Sequence, residues 1–213
     1  MKKVTLITAL MLVCLLSLPV LANSLQGTQG LIYMPTADTQ SVNKYSLGFQ
    51  LDGDQSSIMT ANYGINESLE AYLNVASNSK FDNTATTLGV KGRILQEAQR
   101  QPALAAGVMG RKSGTDIFVV ASKSIDYKGN LRGHVGFESG KGLFFGFNKI
   151  YNPVTISSSD SMFSLPVTNC KVEYYNNDIN LGADFHLNKN FNINLSLIDL
   201  EGLSYGIEYS SRF

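Results

Sequence analysis

Apolar and polar residues alternate one for one at the C-terminus. Leu203, Tyr205, Ile207, Tyr209, Ser211 and Phe213 share one face, and Ser204, Gly206, Glu208, Ser210 and Arg212 the other. Strand side chains point to opposite faces in turn, so this is a strand with one apolar side. The pattern recurs at intervals of about 10–20 residues, as expected of successive hairpins. Tyr45, Leu47, Phe49 and Leu51 alternate with Ser46, Gly48, Gln50 and Asp52, and after an Asp52-Gly53-Asp54 turn Met59, Ala61, Tyr63 and Ile65 form the next apolar set. Leu69, Ala71, Leu73 and Val75 oppose Ser68, Glu70, Tyr72 and Asn74, while Leu88, Val90 and Ile94 oppose Thr87, Gly89, Lys91 and Arg93. Ala103–Arg111 and Asp116–Lys123 are more uniformly apolar, and their facing is ambiguous. Alternation returns with Leu131, Gly133, Val135 and Phe137 against Arg132, His134, Gly136 and Glu138, followed by a Gly140-Lys141 turn and a strand from Gly142 to Ile150. Val172 and Tyr174 then oppose Lys171, Glu173 and Tyr175 before an Asn176-Asn177-Asp178 turn. Leu181, Ala183 and Phe185 oppose Gly182, Asp184 and His186, and Ile193, Leu195 and Leu197 oppose Asn192, Asn194 and Ser196. No segment sustains the i, i+3, i+4, i+7 spacing of an amphipathic helix.

The strands number twelve, with ten as the alternative because the chain is lean for twelve. Even parity places both ends of a barrel on one side. Residues 152–169, with Pro153 and Pro166, form the longest stretch without alternation, either a loop or a short extra hairpin.

Residues 1–22 read as a secretory leader. Lys2 and Lys3 precede an apolar run, and Val20-Leu21-Ala22 places small residues at the −3 and −1 positions of a cleavage site. The run is short for a spanning helix, which needs about 20 residues. The leader holds two of the 17 basic residues and none of the 17 acidic ones, so cleavage leaves 15 basic against 17 acidic groups. A near-neutral chain with no basic cluster gives no case for nucleic-acid binding. Cys170 is the only cysteine beyond the leader, so the processed chain is expected to have no internal disulfide.

One apolar face per strand has two physical destinations. Two sheets of a secreted soluble sandwich bury such faces against each other. In a membrane barrel they face lipid, and the polar faces line or fill the interior. Candidate lumen-facing residues are Glu70, Lys91, Arg93, Arg132, His134, Glu138, Lys171, Glu173, Asp184, His186, Glu208 and Arg212. The leader, short turns, missing disulfides and closing Phe213, which resembles the end of bacterial outer-membrane barrels, favour the barrel. The partners expected are therefore the outer-membrane lipid bilayer and, through the terminal strand, its insertion machinery. The chain has no Trp, which interfacial girdles commonly use, but 10 Tyr and 11 Phe can take that role.

Gly30-Leu31-Ile32-Tyr33-Met34-Pro35-Thr36-Ala37 resembles the opening of the YjbH-like outer-membrane proteins associated with exopolysaccharide operons. Leu88-Gly89-Val90-Lys91, Pro102-Ala103-Leu104-Ala105 and Phe118-Val119-Val120-Ala121-Ser122-Lys123 are similar as well, so the resemblance runs from about Gly30 to Asn152 in the family's order. Members of that family are several times longer, which would make this chain a reduced, barrel-only relative. The resemblance implies an envelope role linked to surface polysaccharide and supplies no catalytic residues. The organisation expected is a leader at 1–22, an N-terminal segment at 23–44 carrying this motif, and a barrel at 45–213. Within the motif, Pro35 fixes φ and lacks a donor, so a structural turn is expected there, with Thr36 bonding nearby backbone.

Chemistry is sparse. Asp184 and His186 share a face at i, i+2, and His134 shares one with Arg132, but nothing resembles a nucleophile elbow. The two histidines and scattered carboxylates have no zinc spacing, and Gly140-Lys141-Gly142 lacks the surroundings of a phosphate loop. No enzyme activity, metal or cofactor is expected. Two readings remain: a passive pore or transport barrel of the envelope, or a non-conducting structural or partner-binding barrel. Interior charges of both signs suit a packed lumen at least as well as a selective pore.

Overall fold

The computed structural model describes residues 23–52, 56–78, 83–126, 130–151 and 166–213. Twelve antiparallel strands follow one another: β1 (Lys44–Asp52), β2 (Ser56–Asn66), β3 (Leu69–Asn78), β4 (Asn83–Leu95), β5 (Ala103–Arg111), β6 (Gly114–Ser124), β7 (Leu131–Glu138), β8 (Gly142–Tyr151), β9 (Val167–Tyr175), β10 (Asp178–His186), β11 (Phe191–Ile198) and β12 (Gly202–Arg212). Each pairs with its sequence neighbours, and β1 pairs with β12 from Lys44↔Arg212 to Asp52↔Ser204. The sheet is thus a closed barrel with no free edge. Twelve strands, not ten, form it, and the lean chain accommodates them through short turns. Asn176 and Asn177, both at positive φ, make the two-residue turn between β9 and β10.

β9 begins at Val167, so the end of the non-alternating stretch is already strand; residues 152–165 and the leader lie outside the described residues. Cys170 on β9 is disulfide-bonded in the structure.

The outward side is an apolar belt. Leu47 on β1, Met59 on β2, Leu88 on β4, Ile117 on β6, Leu143 on β8 and Ile207 on β12 are all exposed large hydrophobics. A water-soluble sandwich buries such faces; a belt around a closed barrel is the surface of one that crosses a bilayer. Aromatic rings gather where the strand termini meet. Tyr45 lies 4.8 Å from Phe213 and 6.2 Å from Tyr209, and Phe191 lies 5.2 Å from Tyr209. Tyr and Phe thus form an interfacial cluster without Trp.

The ambiguous strands β5 and β6 are apolar on both faces for a structural reason. Ala105 and Met109 on β5 and Phe118 and Val120 on β6 point inward, and with Tyr72 and Phe144 they join one buried cluster that includes Leu31, Met34 and Ala37. Barrels of about eight strands can be filled by their own side chains, and wider ones enclose space. Here a second piece of chain occupies that space.

Candidate functional site in the barrel lumen

Ahead of β1, residues 23–41 fold back on themselves inside the barrel. Leu25 N–H donates to the Ile32 carbonyl at 2.6 Å, Leu31 N–H to Met34 at 2.9 Å, and Thr36 N–H to Gln29 at 3.1 Å. Pro35 sits where the chain turns, bridged to Gly30, and the Thr36 hydroxyl also reaches the Gln29 carbonyl. These apolar side chains need burial, and so short a piece has no core of its own. Gly146 on β8 provides room: a Cβ there would come within 2.6 Å of Leu31 Cδ1 and 2.8 Å of Met34 Sδ.

The lumenal charges hold this segment by its backbone. The Glu173 carboxylate accepts three successive N–H groups, from Ile32 at 3.0 Å, Tyr33 at 2.8 Å and Met34 at 3.1 Å, and the Asn180 amide at 3.0 Å. Glu70 accepts the Thr28 hydroxyl at 2.5 Å and the N–H groups of Gln29 at 3.0 Å and Gln40 at 2.6 Å. Lys91, paired with Glu70 at 3.1 Å, donates to the carbonyls of Gln29 at 2.8 Å and Thr36 at 3.0 Å. Lys171 donates to the Leu31 carbonyl at 2.9 Å and pairs with Asp184 at 2.6 Å. Asn62 and Asn74 donate to the carbonyls of Gly27 and Leu25, Ser122 accepts Ala37 N–H, and Glu208 accepts Asn23 N–H at 3.1 Å. Buried backbone groups must be satisfied, and a segment with no sheet partner is satisfied here by side chains from all round the barrel.

The candidate residues therefore divide by position. Glu70, Lys91, His134, Glu138, Lys171, Glu173, Asp184 and Glu208 are buried in the lumen. Arg132 is partly buried at the terminal end of the barrel, where it pairs with Asp38 and, at 3.1 Å, with Glu97. His186 is half-buried, and its Nε2 has no hydrogen-bond partner. Arg93 pairs with inward-facing Ala105 just before the bulge between Arg93 and Leu95 and donates to the Glu67 carbonyl at the rim. Arg212 is exposed at the end of β12, in register with Lys44 and on the same side of the strand as buried Glu208 and Ser210. The charges do not pair directly across an empty lumen either, since the segment stands between the walls and takes their hydrogen bonds.

Asp38 and Glu97 carry no signal in strand alternation, because neither lies on a strand. Burial would raise the Asp38 carboxyl, but the Arg132 guanidinium, with His134 and Lys91 nearby, holds it below its ordinary value. Burial likewise opposes the lowering of Glu97, which is brought about by hydrogen bonds from Ser124 and by the charges of Arg132 and Lys123.

His134 joins two strands. Its Nδ1 lies 2.7 Å from Ser122 Oγ and its Nε2 2.8 Å from Asn148 Oδ1. A hydroxyl beside an imidazole is the beginning of a nucleophilic pair. Yet Ser122 is only 1 % exposed and its oxygen is already taken by Ala37 N–H. Among the described residues no group of His, Cys, Asp and Glu is placed to hold a metal ion.

Above the segment, at the barrel end opposite the strand termini, a cavity of about 510 Å³ opens. Its floor is Leu25, Gln26 and Tyr33, and its walls carry Asn74, Asn180, Arg111, Lys141 and Asp178. Arg111 bridges Asp116 at 2.6 Å and Glu138 at 3.6 Å; Glu138 accepts the Tyr175 hydroxyl at 2.7 Å, which in turn accepts the Gln26 amide at 2.6 Å. Tyr33 stacks on Tyr175 with ring centroids 6.1 Å apart, so the mouth of the barrel touches the segment directly. Burial, followed by the charges of Asp52, Glu173 and Asp178, raises the Tyr33 phenol above its ordinary range and keeps it neutral.

No protein-family model matches the chain, and no curated relative matches it. Solved structures do. A KdgM porin superimposes with a TM-score of 0.53 at 10% identity, over 80% of this chain and 99% of that one. A KdgM porin in complex with disordered oligogalacturonate gives 0.52 at the same identity and coverage. The Acinetobacter baumannii outer membrane protein Omp33 gives 0.49 at 9% identity, over 82% of this chain and 100% of that one. At such identities the likeness speaks for the fold alone: the chain has the closed, antiparallel barrel architecture of porins.

Proposed function

We propose that the chain is a bacterial outer-membrane barrel that passes small hydrophilic solutes passively, and that residues 23–41 close it. The clamp of Glu173 on three successive amides carries the reading, since a segment so held blocks the lumen and depends on a few polar contacts that can be exchanged for water. The apolar belt supports a place in the membrane, and the even strand number supports an entrance for the segment on the periplasmic side. Amide-lined walls and a tyrosine floor in the mouth suit sugars, and one barrel of similar fold is described in complex with oligogalacturonate. Among the described residues the imidazole–hydroxyl pair of His134 and Ser122 is buried, which supports a role without catalysis.

Planar-bilayer recording tests this reading. The intact barrel should show small, infrequent conductance steps, and removal of residues 23–41 should give a large, long-lived conductance. A truncated barrel that still shifts on gels without boiling yet never conducts would sink the pore reading. The alternative is a structural barrel whose mouth binds an envelope partner, in line with the YjbH-like resemblance and its link to surface polysaccharide.

A further inference from the structure

We infer that Glu208 is the seat of the α-ammonium group that leader removal creates at Asn23, so that proteolytic processing locks the segment into the lumen. The inference rests on reading residues 23–41 as the closing segment, and it starts from an imbalance around one carboxylate.

Glu208 lies in the lumen on β12, 6% exposed. Asn23 donates its backbone N–H to Oε2 of Glu208 at 3.1 Å. Among the described residues no cation forms an ion pair with Glu208, and Lys171 is taken by Asp184 at 2.6 Å and the Leu31 carbonyl at 2.9 Å. Asn192, directly opposite Glu208 in the β11–β12 register, is 3% exposed, and neither atom of its amide has a hydrogen-bond partner. A buried carboxylate facing a neutral donor, with an orphaned amide beside it, is a costly arrangement that one added cation would relieve.

The sequence independently supplies that cation at the required atom. Small residues at Val20 and Ala22 place leader cleavage after Ala22. Water then adds across the Ala22–Asn23 peptide bond, leaving a carboxylate on Ala22 and an amine on Asn23. The amine binds a proton at neutral pH, its ordinary pKa being about 7.7–8.0. One N–H donor becomes three, carried on a positive charge and already aimed at Glu208. Position does not depend on the leader, because the Asn23 side chain is pinned from both ends. Its Nδ2 donates to Ser46 Oγ at 2.5 Å, and its Oδ1 accepts from Gln29 Nε2 at 2.7 Å.

The experiment compares refolded chains that begin at Asn23 with a free or an α-acetylated amine, each carrying Glu208 or Glu208→Gln. Hydrogen exchange of peptides from residues 23–41 is the readout. With Glu208 present, acetylation should speed exchange by about ten-fold, the size of one lost charge-assisted hydrogen bond. With Glu208→Gln the two amine forms should exchange alike. N-terminal sequencing of the exported protein should begin at Asn23, and its α-amine should resist acylating reagents in the folded barrel. Equal exchange in the Glu208 chains, a difference that persists in Glu208→Gln, or a mature terminus elsewhere would each overturn the inference. Should Glu208→Gln fail to fold, the acetylation comparison and the acylation rate still decide. Failure of every form to conduct would count against the pore reading alone, since none of these readouts involves conductance.

Discussion

At the scale of single residues, charges read from the sequence as lumen-facing turn out to be ligands for a peptide segment. Glu173→Ala would strand three buried N–H groups, at about 1–3 kcal/mol each. The expected outcome is faster exchange of the Ile32, Tyr33 and Met34 amides and more frequent opening in bilayers, with Glu173→Gln intermediate because it keeps an acceptor. Unchanged exchange in both variants would show that the clamp contributes little. Asp38 gives a pH dependence of definite sign. Its carboxyl is held below the ordinary value of about 3.9, so its contribution is complete above that pH and disappears as pH falls through the lowered value. Acidification below about pH 4 should therefore release the end of the segment near Arg132. Asp38→Asn should lack its share of that response, measured as amide exchange around Ala37 across the pH range. The acidic partners of Arg132 were illegible in the sequence because both lie between strands, where neither period nor spacing marks a face. The role of the motif at Gly30–Ala37 was half legible: its turn chemistry was plain, whereas its apolar residues had no visible destination until the lumen was closed around them.

At the scale of elements, strand alternation carries nearly all the information. The boundaries of Leu131–Glu138 coincide with β7 because strict alternation ends where pairing ends, and Ala103–Arg111 coincides with β5 even though both its faces are apolar. Facing failed on β5 and β6 alone, since a periodic signal vanishes when both sides are apolar, and the second side is apolar there because it packs on Leu31, Met34 and Ala37. The register can be tested by a pair of neighbours on β11. Leu195 lies on the outward face with exposed Ile193, and Asn194 donates inward to Asp184 at 3.0 Å. Arg on the lipid face near the bilayer midplane costs about 2–4 kcal/mol. Leu195→Arg should accordingly reduce folding into bilayers much more than Asn194→Arg, by the fraction of heat-modifiable protein; the reverse order would mean an inverted register. Gly146→Val tests the seat of the segment. Its new side chain must share space with Leu31 and Met34, so the barrel should still form while the segment exchanges faster.

At the scale of the whole molecule, closure is what turns twelve strands, marginal as isolated hairpins, into one stable object, and the β1–β12 seam completes it. β12 pairs with β1 along its length, and Phe213 extends the seam by donating its N–H to the Asn43 carbonyl at 3.1 Å. The Phe213 ring, although 87% exposed, lies 4.8 Å from Tyr45 and 6.3 Å from Tyr63, which ties the chain's end to the first two strands. An exposed aromatic there adds little to a finished core, so if the terminal strand engages an insertion machinery, as its sequence pattern led us to expect, the part of Phe213 is in assembly. Deleting Phe213 should therefore leave the stability of the finished barrel within about 1 kcal/mol, the scale of one aromatic contact. It should nevertheless slow appearance of the heat-modifiable form in cells. Fractionation after pulse labelling separates the two effects: the variant should linger as an unassembled periplasmic species and then reach the outer membrane as a barrel of normal stability. Wild-type assembly kinetics would reduce Phe213 to a girdle residue, and a large loss of stability in the finished barrel would make it part of the seam itself.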